Sequence, residues 1–175
     1  MKYIDYEFSL ACLLAYWTDK EINKEEYNIL YSQFTSYINS NKKINISSSF
    51  FIDKLDKRLC FHQYLKWILK NLSEMVVTIK GEKGIDEFKA LKNVTSLLIN
   101  NYKKILLKGI QDEDYPETRS LDFYEPDKNK HIEFLKSKFL QKVISADGKI
   151  SKEENDLMGH ISNEFKEGFF KNLFK

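Results

Sequence analysis

The strongest constraint on this chain is the placement of its helix breakers. Only two prolines occur in 175 residues, Pro116 and Pro126, and both fall inside one short acidic stretch. Glycine is scarce as well, at six residues. Proline removes a backbone donor and clashes with the preceding turn, and glycine adds unfolded-state freedom. Long stretches without either, rich in Leu, Ile, Lys and Glu, favour continuous helix. With 42% hydrophobic and 14% aromatic residues, the chain has the material for a real core and is not of disordered composition. The expectation is an all-α single domain over 1–175, a compact bundle of about seven helices.

Apolar spacing places those helices. Residues 4–18 are apolar on almost every side, which predicts a central, well-buried helix. Residues 23–39 carry Ile29, Leu30, Phe34, Tyr37 and Ile38 on one face. Ser47–Ser49 can cap a third helix through Phe51, Leu55 and Leu59, and a fourth runs from Phe61 to Leu72. The β-branched stretch 76–79 is ambiguous, and the fourth helix is expected to end before it. Gly81 to Gly84 reads as a turn, followed by a fifth helix over 85–108. Asp127 can cap a sixth helix with the stripe Ile132, Leu135, Phe139, Leu140 and Val143, and Ser151 opens the seventh.

The formal net charge of +2 gives no general pull toward nucleic acid or membrane, but it hides an asymmetry. From Asp112 to Asp127 seven acids stand against Arg119 alone, so the segment carries −6 and the remainder about +8. This acidic loop, 109–127, also holds Tyr115, Phe123 and Tyr124. Aromatic anchors among charges suit a docking surface for a protein with a basic surface, and Asp112, Glu113, Asp114, Tyr115, Glu117, Asp122, Phe123, Tyr124 and Glu125 are its candidate contact residues. No run approaches the roughly 18 apolar residues of a membrane span, and acids occupy the place of a signal-peptide core. Cys12 and Cys60 lack CxxC spacing and read as buried free thiols, so a cytoplasmic protein is expected.

One stretch is echoed within the chain. Asp19-Lys20-Glu21-Ile22-Asn23-Lys24-Glu25-Glu26 aligns without gaps on Asp147-Gly148-Lys149-Ile150-Ser151-Lys152-Glu153-Glu154, a candidate internal pseudo-repeat. Helix physics accounts for much of it. Gly148 is suited to the left-handed position that ends a helix. Ser151 with Glu154, and Asn23 with Glu26, have capping-box spacing, and Ile22 with Tyr27 the spacing of a hydrophobic staple. Glu25 and Glu153 lie at the positive end of a helix dipole. Asp19 and Asp147 are the acids least explained by capping. The functional alternative is a divalent cation such as Ca²⁺ held by Asp19, Glu25, Glu26, Asp147, Glu153 and Glu154, since hard cations take oxygen ligands. A standard EF-hand is excluded, because its first and third loop positions would be Val143 and Ser145.

The Asp-Gly-x-Ile-Ser-x-x-Glu corner between apolar helices resembles the tellurite-resistance TerB-like family and the related N-terminal domain of DjlA-type co-chaperones. It covers Leu140–Phe165 and, more weakly, Leu13–Phe34. The resemblance implies an all-helical bacterial stress-response module in which acidic corners hold metal; it singles out the same six acids.

Catalytic signatures are not found. His62, His131 and His160 are isolated and expected in the core, and no Cys/His cluster, GxSxG or phosphate loop is present. Lysines at 66, 70, 80, 83, 103, 104 and 108 interleave with Tyr64, Trp67 and Tyr102, but a solvated face fits the net charge better than nucleic-acid binding. The expectation is a non-enzymatic protein-binding module, TerB-like, with an immunity protein that neutralises a secreted nuclease toxin through the acidic loop as the alternative.

Overall fold

The computed structural model describes residues 3–40, 56–108 and 138–166. Among them are six α-helices and no strand: α1 (Tyr3–Asp19), α2 (Lys24–Ser40), α3 (Lys57–Lys83), α4 (Glu87–Lys108), α5 (Lys138–Ile144) and α6 (Lys152–Lys166). The all-α expectation holds. The stretch 47–55, His131, the acidic loop and the first part of the expected sixth helix lie outside the described residues.

The order of the core follows from α1. Every residue from 5 to 15 is buried, because this helix has no polar face to give to solvent. It touches all five other described helices. Phe8, fully buried, sits at the meeting point: its ring lies 6.2 Å from Phe34 of α2, 6.5 Å from Phe61 and 5.6 Å from Tyr64 of α3, and 6.3 Å from Phe139 of α5. Three of these contacts are edge-to-face, the geometry that ring quadrupoles favour. On the other side of α1, α4 brings Val94, Leu98 and Tyr102, and α6 adds Leu157, Ile161 and Phe165, all at helical spacing and all buried.

Three expectations need correction in α3. The helix is continuous from Lys57, so there is no break between Leu59 and Phe61. Asp56 caps it, accepting a hydrogen bond from the Arg58 N–H at 2.9 Å. The stretch 76–79 is helical, since Val76 is buried in the common core and tertiary packing overrides the strand preference of branched side chains. Gly81 lies inside the helix, which ends at Gly84 in the left-handed conformation (φ 59°). Asp86 then accepts from the Lys89 N–H at 2.8 Å and starts α4. That hydrogen bond is also the first reason the exposed Asp86 carboxyl is held below its ordinary pKa.

Phe8→Ala is expected to lose about 3–5 kcal/mol of stability in urea unfolding, the range for a large buried ring. Leu97→Ala, at a site 44% exposed, should lose less than about 1 kcal/mol in the same assay.

Candidate functional site

The two acidic corners are built alike. At the first, the Asn23 N–H donates to Glu26 Oε2 at 2.8 Å while the Glu26 N–H donates to Asn23 Oδ1 at 2.8 Å. At the second, the Ser151 N–H donates to Glu154 Oε2 at 2.6 Å and the Glu154 N–H to Ser151 Oγ at 3.1 Å. Both expected capping boxes are therefore formed, and both glutamates are buried, with 3% and 2% of their surface exposed. Lys20 takes a positive φ of 64° where Gly148 has 76°. The first corner thus makes the same left-handed stop with a side chain in place, and the Lys20 ammonium forms an ion pair with Glu87 at the start of α4.

The corners also differ, for reasons written in the sequence. α1 runs through Asp19, whereas α5 stops at Ile144, three residues before Asp147. Ile22 packs against the core, but Ile150 is 50% exposed. The fourth helical residue is Tyr27 in one corner and Asn155 in the other, so the second has no apolar partner for a staple.

Of the six acids expected to converge on a cation, Glu26 and Glu154 close the boxes. Asp147 accepts from the Lys149 N–H at 2.9 Å and so stabilises its own turn, a role the sequence left unexplained. Glu25 and Glu153 point to solvent, and the side chain of Asp19 lies outside the described part. Among the described residues no three His, Cys, Asp or Glu side chains come together in a group able to hold a metal ion. The acidic-loop residues 112–125 also lie outside the described part.

A second polar cluster joins α4 to α6. Ser96 Oγ lies 2.9 Å from His160 Nε2 and donates to Glu164 Oε1 at 2.7 Å. His160 Nε2 is also 3.1 Å from the Lys92 carbonyl oxygen, and the Lys103 ammonium donates to the Glu164 carbonyl. In a hydrolytic triad the imidazole stands between hydroxyl and carboxylate, with one ring nitrogen toward each. Here Glu164 accepts the serine hydrogen bond directly and lies 3.8 Å from the same Nε2. The arrangement ties α4 to α6. His160 is half-buried as part of this tie, while His62 is exposed on α3 rather than in the core, because its neighbours Cys60 and Phe61 take the inward positions.

The polar groups that composition and motif searching missed lie inside α1. Asp5 is fully buried and accepts from the Tyr64 hydroxyl at 2.6 Å. Glu7, 3% exposed, accepts from the Tyr102 hydroxyl at 2.8 Å. Ser9 Oγ is buried with no hydrogen-bond partner among the described residues. The signal was present: acids on a helix with no solvent face must enter the core, and there they need donors. Tyr64 and Tyr102 are therefore internal braces with no ring free for stacking on a base, which removes two of the three rings from the nucleic-acid alternative. Burial first, then the neighbouring Asp5, pushes the Tyr64 phenol well above its ordinary range. Burial, with Glu26 adding, does the same to the Cys12 thiol, which is thereby kept from forming the nucleophilic thiolate. Both cysteines are buried and neither is in a disulfide, as expected.

No known family model matches the chain, and no curated protein or solved structure matches it.

The geometry yields two tests. Glutamine can close a capping box as glutamate does. Glu154→Gln should therefore stay within about 0.5 kcal/mol of the parent in thermal unfolding, while Glu154→Ala loses about 1 kcal/mol; equal losses would indicate that the charge itself matters there. The second concerns pH. In the unfolded chain phenols ionise near pH 10, but the folded Tyr64 keeps its proton to higher pH, so the unfolded form releases protons first. This contribution to stability is fully present below about pH 10 and lost above it. Denaturant midpoints measured across alkaline pH should fall there, together with the appearance of phenolate absorbance.

Proposed function

We propose that this chain is a non-enzymatic protein-binding module of TerB-like type, acting in the cytoplasm through a charged surface. The observation that carries the proposal is the Ser96–His160–Glu164 cluster: the serine hydroxyl donates its hydrogen bond to the carboxylate, and the trio holds α4 to α6. The buried Asp5 and Glu7 support it, since each accepts from a tyrosine inside the core, beyond a substrate's reach. The matched corners support the TerB-like part, with the same left-handed stop and reciprocal cap at both sites. Divalent-cation binding is not included, because Glu26 and Glu154 already satisfy helix termini.

The partner surface is assigned to the acidic segment from Asp112 to Glu125, with Tyr115, Phe123 and Tyr124 as anchors and a basic protein as partner. A second reading rests on the same composition: an immunity protein whose acidic segment enters the basic cleft of a secreted nuclease toxin.

Partner capture by crosslinking in the native host, followed by association kinetics, tests both. Reversing the charges at Asp112, Glu113 and Asp114 together should slow association with the captured partner by about tenfold at low salt, leaving the far-ultraviolet circular dichroism unchanged. An unchanged association rate refutes the segment's role. A toxin gene directly upstream would favour the immunity reading over the TerB-like one.

A further inference from the structure

We draw no further inference here: the strongest candidate, the Ser96–His160–Glu164 side-chain cluster where α4 meets α6, belongs to the site already described, and its hydroxyl, imidazole and carboxylate are already engaged with one another and with the Lys92 carbonyl.

Discussion

A helix buried on every side must still place its polar residues somewhere, and the fold is organised around how α1 does this. Asp5 and Glu7 enter the core and are met by phenol groups from two different helices, Tyr64 of α3 and Tyr102 of α4. Taking a carboxylate out of water is expensive unless it receives hydrogen bonds, and leaving one without its donor is worse than never burying it. The two tyrosines therefore specify how α3 and α4 rotate against α1. Apolar packing alone tolerates many rotations; a hydroxyl that must meet a carboxylate tolerates few. Phe8 works alongside them, its ring touching α2, α3 and α5 at once.

The acidic corners illustrate how a motif of chemical appearance can be a motif of chain direction. Each needs a residue in the left-handed region, a side-chain oxygen to receive the first free amide, and a carboxylate to receive the amide of the cap itself. Those requirements account for the Gly, Ser and Glu of the Asp-Gly-x-Ile-Ser-x-x-Glu pattern. Lys20 shows that the stop does not depend on glycine; a side chain in that region is strained by roughly 1–2 kcal/mol, which the Glu87 contact offsets in part.

The legible part of the fold was the part governed by local rules. The buried character of 4–18, the two capping boxes and the free thiols follow from spacing and residue type over a few positions. α3 reads as ending early in the sequence because the β-branched residues Val76, Val77, Thr78 and Ile79 resemble a strand locally, and only the burial of Val76 against the bundle decides for helix. Asp5 and Glu7 were visible as acids but not as core acids, because their donors lie 59 and 95 residues away. The Ser96–His160 contact, across 64 residues, had a local trace only in the spacing of His160 and Glu164.

The position of α1 in the chain sets a problem of timing. It is the earliest helix described, yet its cover includes α6, which ends at Lys166. At typical synthesis rates of about 5–20 residues per second, roughly seven to thirty seconds separate the emergence of the two. For that interval the most apolar helix of the protein lacks part of its shell while the ribosome is still at work. Completion of the core thus waits for α6, and until that helix emerges the nascent chain is a natural client for whatever holds unfinished proteins in solution.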